Sequence, residues 1–138
     1  MIIAVDFDGT IVKHEYPSIG KEQPFAVETL RQLAADGHKI ILWTFRSGDL
    51  LEEAVTWCEK RGLHFYAINS NYPPGALFGS KEGASPKIEA DVYIDDRNLG
   101  GLPDWGTIYT IISGKREEKH RREHHRKKSF WQRLKKAF

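Results

Sequence analysis

The sequence predicts a three-layer α/β fold built on a parallel sheet of about five strands. Short apolar runs alternate along the chain with longer amphipathic stretches, as they do in repeated strand–helix–strand units. Most of the apolar runs lack the period-two alternation of a half-exposed strand, so we expect a sheet that is covered on both faces. Right-handed crossovers would then join the parallel strands.

Five segments are predicted to be strands, and two helices lie between the first three of them. The strands are Ile2–Val5, Ile40–Thr44, His64–Asn69, Val92–Ile94 and Thr107–Ile112. The first helix is predicted over Pro24–Asp36, because proline suits the first helical position and Gly37 ends the pattern. The second helix is predicted over Asp49–Arg61, again followed by a glycine. Residues 71–86 are rich in Pro, Gly and Ser and are predicted to form a long loop.

The charge of the chain is unevenly distributed. The formal net charge of +2 hides 10 Lys and Arg against 16 Asp and Glu in residues 1–114, and 11 against 3 in residues 115–138. We therefore predict an acidic domain over residues 1–114, followed by a basic tail over residues 115–138.

Composition also excludes several classes of protein. A single cysteine excludes an internal disulfide framework and fits a reducing compartment. No apolar run is long enough to span a membrane, and the first residues lack the features of a signal peptide. We therefore expect a cytoplasmic protein.

Acidic and hydroxyl side chains follow the predicted strands at the points where these end. Asp6 and Asp8 follow the first strand, Thr44 ends the second, and Asp95 and Asp96 follow the fourth. Because the carboxyl ends of parallel strands meet at one edge of a sheet, these side chains should converge where ligands bind. Four clustered carboxylates repel one another, and a divalent cation relieves the repulsion. A set of oxygen ligands suits Mg²⁺.

Such an edge could transfer a phosphoryl group. Thr44 would donate a hydrogen bond and Lys87 would supply a positive charge to the phosphoryl oxygens. Asp6 could attack phosphorus to form an aspartyl phosphate, and Asp8 could protonate the leaving oxygen and then activate water. Gly9 would allow the sharp turn after the two carboxylates.

These residues resemble the motifs of the haloacid dehalogenase-like superfamily, whose Rossmann-like members are mostly Mg²⁺-dependent phosphohydrolases. Asp6–Thr10 is similar to its first motif, Thr44 to the second, Lys87 to the third and Tyr93–Asp96 to the acidic-pair form of the fourth. The resemblance implies a hydrolase, a phosphatase in which Asp6 is the nucleophile and Asp8 the general acid and base.

The resemblance also implies the remaining site residues. Phosphate would be bound by Thr44, Lys87, Gly9 and Phe45, and magnesium by Asp6, Asp8 (through its main-chain carbonyl), Asp95 and Asp96. Lys81 is an alternative to Lys87, and either Asp95 or Asp96 could be the direct ligand. Arg46, Arg97 and Tyr72 are candidate contacts to the substrate.

The superfamily usually carries a cap domain, but neither of the two segments where a cap is inserted is long enough here. These segments are residues 11–23 and the stretch between Thr44 and Lys87. We therefore expect a capless, open site that accepts a bulky phosphorylated substrate, or one covered by another subunit of a homo-oligomer.

The basic tail ends in an amphipathic segment. Apolar residues recur there at helical spacing: Phe130, Trp131, Leu134, Ala137 and Phe138. A basic amphipathic helix binds a membrane surface, a partner groove or nucleic acid, although its apolar face could instead dock on the domain or on a sister subunit. The alternative function is therefore a catalytically weak scaffold or adaptor whose tail binds an anionic or apolar partner.

Overall fold

The computed structural model describes residues 1–76 and 85–137 of the chain. Lys81 and Phe138, which were named from the sequence, lie outside the described residues, as do residues 77–84 of the predicted loop. The described residues form seven elements in chain order: β1 (Ile2–Val5), α1 (Ala26–Ala35), β2 (Lys39–Leu42), α2 (Gly48–Glu59), β3 (Ala67–Ile68), β4 (Val92–Ile94) and α3 (Trp105–Ala137).

The strands form one parallel sheet in the order β3-β2-β1-β4. Ile3 of β1 is paired with Ile40 of β2 on one side and with Val92 of β4 on the other. Strand order reverses at β1, because β2 and β3 extend the sheet in one direction and β4 in the other. The carboxyl ends of β1 and β4 therefore flank a topological switch point, which is where open α/β sheets bind ligands.

Both faces of the sheet are covered, as the strand pattern predicted. Three consecutive residues of β1, Ile3, Ala4 and Val5, are buried, although neighbouring side chains on a strand point to opposite faces. Ala4 packs in a cluster with Ile41 and Ile88. The four parallel strands and their connecting helices fit a Rossmann-like α/β fold.

The core of the first compact unit also contains the single cysteine. Cys58 of α2 is fully buried, and burial raises the pKa of its thiol to about 12. A thiol in this environment stays protonated, so Cys58 is a small core residue and not a nucleophile.

The prediction of about five strands is wrong, because the described residues contain four. Thr107–Ile112, the predicted fifth strand, lies inside α3. Its β-branched residues favour a strand, but Ile108 and Ile112 share one face at helical spacing, and the Thr110 hydroxyl donates a hydrogen bond to the Gly106 carbonyl at 3.1 Å.

Residue contacts divide the chain into Met1–Trp105 and Gly106–Phe138, whereas the change in charge comes at residue 115. In the described parts of the chain, no helix combines the length and the apolar character needed to cross a bilayer.

Candidate active site

Three carboxylates meet at the carboxyl edge of the sheet. Asp6 follows β1, Asp95 and Asp96 follow β4, and the backbone N–H of Asp6 donates to the Ile94 carbonyl at 3.0 Å, which extends the pairing of the two strands. One oxygen from each of the three carboxylates lies within 4.8 Å of the others. A set of this kind, made only of carboxylate oxygens, fits a hard divalent cation such as Mg²⁺.

The carboxyl group of Asp6 has a raised pKa. Burial, followed by the nearby charge of Asp95, raises the pKa of Asp6 from its ordinary value of 3.8 to about 7, and Asp96 adds to the effect. Hydrogen bonds from the Phe7 backbone and the Thr10 hydroxyl oppose the rise. The charged form of Asp6 is therefore costly unless a cation compensates it.

Thr10 is a site residue that the sequence analysis did not assign. Its buried hydroxyl donates to Asp6 Oδ2 at 3.2 Å and lies 3.4 Å from Asp96 Oδ1, and it accepts the backbone N–H of Asp96 at 3.0 Å. Thr10 therefore links the residue after β1 to the residue after β4. The sequence feature that could have identified Thr10 is its position as the last residue of the first motif.

Gly9 allows Asp96 to come close to the β1 end of the site. Its φ is +86°, and a Cβ at this position would lie 2.3 Å from Asp96 Oδ2. The residue predicted to bind phosphate thus has a steric role, because any side chain here would push the Asp96 carboxylate away.

Gly9→Ala is expected to destabilise the protein by about 3 kcal/mol and to abolish stabilisation by Mg²⁺, because it adds a clash with Asp96 to the backbone strain. Gly37→Ala is the matched control. Its φ is +91° and no atom lies within 4 Å of its Cβ position, so only a strain of about 1 kcal/mol is expected. Urea denaturation with and without Mg²⁺ measures both effects. If both variants lost the same free energy of unfolding, the close approach of Asp96 to Gly9 would not contribute to stability.

The Asp8 side chain does not join the carboxylate cluster, so three carboxylates converge at this edge and not the predicted four. Arg46 binds both of its oxygens instead, with Nε 2.7 Å from Oδ2 and Nη2 2.8 Å from Oδ1. A bidentate guanidinium–carboxylate pair of this kind is strong and directional. The guanidinium of Arg46 therefore fixes the orientation of the Asp8 side chain at the wall of the site.

Arg46 was predicted to contact the substrate, and its burial contradicts this. Only 1% of its surface is exposed, although Arg is among the residues least often buried. Its Nη2 also donates to the Ser18 carbonyl at 3.0 Å, and its guanidinium lies 5.2 Å and 5.3 Å from the ring centroids of Phe7 and Tyr16. The hydrogen bonds with Asp8 raise the pKa of Arg46, so the guanidinium keeps its charge. Arg46 positions Asp8.

The loop after β2 brings Thr44 to the site. The Thr44 N–H donates to Asn69 Oδ1 at 2.9 Å, and the Thr44 hydroxyl accepts the N–H of Arg46 at 3.1 Å. The hydroxyl proton remains able to donate to a ligand. Asn69, at φ +48°, anchors this loop from the end of β3 and was not assigned a role from the sequence.

A cavity of about 610 Å³ opens beside the carboxylates. It is lined by Asp6, Asp8, His14, Tyr16, Trp43, Thr44, Phe45, Asp95 and Arg97. Phe45 is 91% exposed at this cavity, and the exposed Arg97 supplies a positive charge. Tyr72, the third candidate contact, is exposed and is not among the lining residues.

Lys87 lines a second cavity of about 300 Å³, which shares Trp43 and Asp95 with the first. Its Nζ lies 6.0 Å from the ring centroid of Tyr93. The structure thus places Lys87 beside the carboxylate cluster but not in the lining of the main cavity.

Comparison with known proteins gives one informative likeness. No protein-family model matches the chain, and a search of curated proteins also finds no match. A solved structure of a conserved protein coded by a locus of Bacteroides thetaiotaomicron matches with a TM-score of 0.77 and 57% sequence identity. The match covers 83% of this chain and 91% of the other. The chain therefore belongs to the same family as this conserved Bacteroides thetaiotaomicron protein.

Proposed function

We propose that the protein is a Mg²⁺-dependent phosphohydrolase of the haloacid dehalogenase-like type, a phosphomonoesterase that acts through an aspartyl phosphate on Asp6. The observation that carries the proposal is the convergence of Asp6, Asp95 and Asp96 within 4.8 Å at the switch point of a parallel sheet. Carboxylates crowded in this way are costly without a cation, as the raised pKa of Asp6 indicates.

Asp6, Asp95 and Asp96 would hold the cation. Bound Mg²⁺ would supply positive charge to the carboxylates and to a phosphoryl oxygen. The free oxygen of Asp6 forms a bond to phosphorus while the bond from phosphorus to the ester oxygen breaks, and protonated Asp8 gives its proton to the leaving oxygen. Water then attacks the phosphorus of the aspartyl phosphate, which releases inorganic phosphate and restores the Asp6 carboxylate.

Asp8 is the group placed to handle protons, because it lines the same cavity as Asp6. Arg46 binds both of its oxygens, so Asp8 can exchange a proton only when one of these hydrogen bonds loosens. Asp8 takes the proton of the attacking water in the second step and gives it to the leaving oxygen of the next substrate.

Thr44 and Lys87 remain the proposed ligands of the phosphoryl group. Thr44 lines the cavity with a hydroxyl able to donate, and Lys87 approaches from the adjoining cavity past Asp95. Lys81 remains an alternative to Lys87. Phe45 and Arg97 border the entrance and would contact the remainder of the substrate.

The substrate is proposed to be bulky, because residues 6–25, which precede α1, are too few to form a cover over the site. In the described residues 6–25, between β1 and α1, the only strand-like pairings are isolated bridges, from Val12 to Asp8 and from Val12 to Glu22. A segment of this size does not form a cap domain. We propose that the cavity is open to a bulky substrate, or that a second subunit covers it.

Phosphate release from p-nitrophenyl phosphate and from a panel of phosphorylated metabolites and phosphopeptides tests the proposal. We expect release with Mg²⁺, none with EDTA, and a loss of about a hundredfold or more in Asp95→Asn or Asp96→Asn. Asp49→Asn, which changes an exposed acid on α2, is the matched control and should retain full activity. Release that persists in EDTA, or that Asp95→Asn and Asp96→Asn leave unchanged, would refute the metal-dependent mechanism.

A further inference from the structure

The second unit of the chain is dominated by positive charge that nothing in the proposed reaction uses. Residues 115–138 contain 11 Lys and Arg and only 3 Glu. Every described side chain from Lys115 to Arg133 is exposed in α3. The charge is therefore available to a partner.

The few acids in this region support the helix. Each of the three glutamates has a basic residue four positions later: Glu117 with Arg121, Glu118 with Arg122 and Glu123 with Lys127. This order and spacing stabilise a helix. Residues 115–138 have a formal net charge of +8, so the helix presents a strongly cationic surface.

The end of α3 adds apolar surface to this charge. Phe130 and Trp131 are 59% and 61% exposed, and their rings meet edge to face with centroids 6.1 Å apart. The half-buried Leu134 lies one turn beyond Phe130 on the same side of the helix. We call Phe130, Trp131 and Leu134 the aromatic tip.

We propose that α3 binds the anionic surface of a lipid bilayer, with the aromatic tip in the interfacial layer and the basic side chains of residues 115–128 over the headgroups. Tryptophan and phenylalanine beside Lys and Arg are the residues with which helices bind at such an interface. Basic residues near an anionic leaflet add attraction that salt screens. Together they provide the two signals that stable surface binding requires.

The separation of charge from apolar surface favours a bilayer over nucleic acid. Residues 115–128 contain no Phe, Trp or Tyr, and Phe130 and Trp131 follow this basic stretch near the C-terminal end of α3. Phosphates of a nucleic acid would use the charge but would leave the aromatic tip exposed to water. A bilayer satisfies both parts of the helix.

The test uses the full chain and vesicles of phosphatidylcholine, with and without phosphatidylglycerol. We expect sedimentation with the anionic vesicles only, release by high salt, and quenching of Trp131 fluorescence by brominated lipid. Phe130→Ser combined with Trp131→Ser should weaken binding about tenfold or more. Trp131→Phe is the matched control, which should sediment normally and lose most of the quenching.

Three results would overturn the proposal. One is the absence of binding to anionic vesicles. Another is wild-type binding by the Phe130→Ser/Trp131→Ser variant, which would show that the aromatic tip does not enter the bilayer. The third is binding to duplex or single-stranded DNA without binding to vesicles, which would identify a nucleic-acid helix. None of these outcomes depends on whether the first unit releases phosphate.

Discussion

Asp6→Asn is expected to abolish phosphate release and, at the same time, to make the metal-free protein more stable at about pH 8. An amide cannot attack phosphorus, so activity should fall on the order of 10⁴-fold or more. Asn also removes the negative charge that burial and the neighbouring aspartates make costly. The gain should be on the order of 2 kcal/mol, after allowance for the solvent-exposed part of the carboxyl.

The stability difference depends on pH in a defined direction. The pKa of Asp6 is about 7 in the folded protein and 3.8 when unperturbed. Between these values the unfolded chain ionises Asp6 while the folded protein keeps the proton, so stability falls as pH rises from about 4 to about 7. Above about pH 7 the full penalty is present. The advantage of Asp6→Asn should therefore be largest at about pH 8 and should vanish near pH 4.

Magnesium should reverse the order of stability, so that the wild-type protein becomes more stable than Asp6→Asn. A cation that binds only the folded protein stabilises it, and it does so more strongly once Asp6 has lost its proton. Urea denaturation at several pH values, with Mg²⁺ and with EDTA, measures the wild-type protein and Asp6→Asn side by side. We expect Mg²⁺ to stabilise the wild type more at about pH 8 than at about pH 5.5, and to have little effect on Asp6→Asn. Activity retained by Asp6→Asn would exclude Asp6 as the nucleophile, and lower stability of that variant at all pH values would contradict the cost assigned to its charge.

The parts of the site that sequence predicted correctly are those set by local pattern. An apolar strand followed at once by acids specifies where Asp6, Asp95 and Asp96 lie, because parallel strands end at a common edge. The prediction of a strand over Thr107–Ile112 was wrong because it, too, relied on local pattern. Its β-branched residues favour a strand, and only the longer helical context reveals that they belong to α3.

The burial of Arg46 and its pairing with Asp8 could not be predicted from local pattern. Sequence places an arginine at the surface by default, since burial of its charge requires a partner. The partner here is Asp8, 38 residues away along the chain, and the Ser18 carbonyl adds to the pairing. Only the packing of the loop after β1 against the loop after β2 brings these groups together, and no local spacing records it.

Arg46→Met should destabilise the protein by about 3 kcal/mol, because it leaves the Asp8 carboxylate in a largely buried position without its cation. Asp8→Asn should cost about as much, since the guanidinium then lacks its charge partner. The double variant should be more stable than the sum of the two losses predicts, by about 2 kcal/mol, because the two side chains interact directly. Arg46→Lys keeps the charge but not the two-pronged geometry, and should fall between wild type and Arg46→Met.

The Arg97→Met variant tests contact with the substrate, whereas the Arg46 variants test the positioning of Asp8. Arg97 is exposed at the cavity, so its loss should raise KM and leave the free energy of unfolding unchanged, whereas Arg46→Lys should lower kcat with little change in KM. Urea denaturation and steady-state kinetics on the four single variants and the double variant provide every value required. Additive stability losses for Asp8→Asn and Arg46→Met would mean that the pair does not act as a unit. An Arg46→Lys variant with raised KM and normal kcat would place the guanidinium against the substrate, in contradiction to its burial.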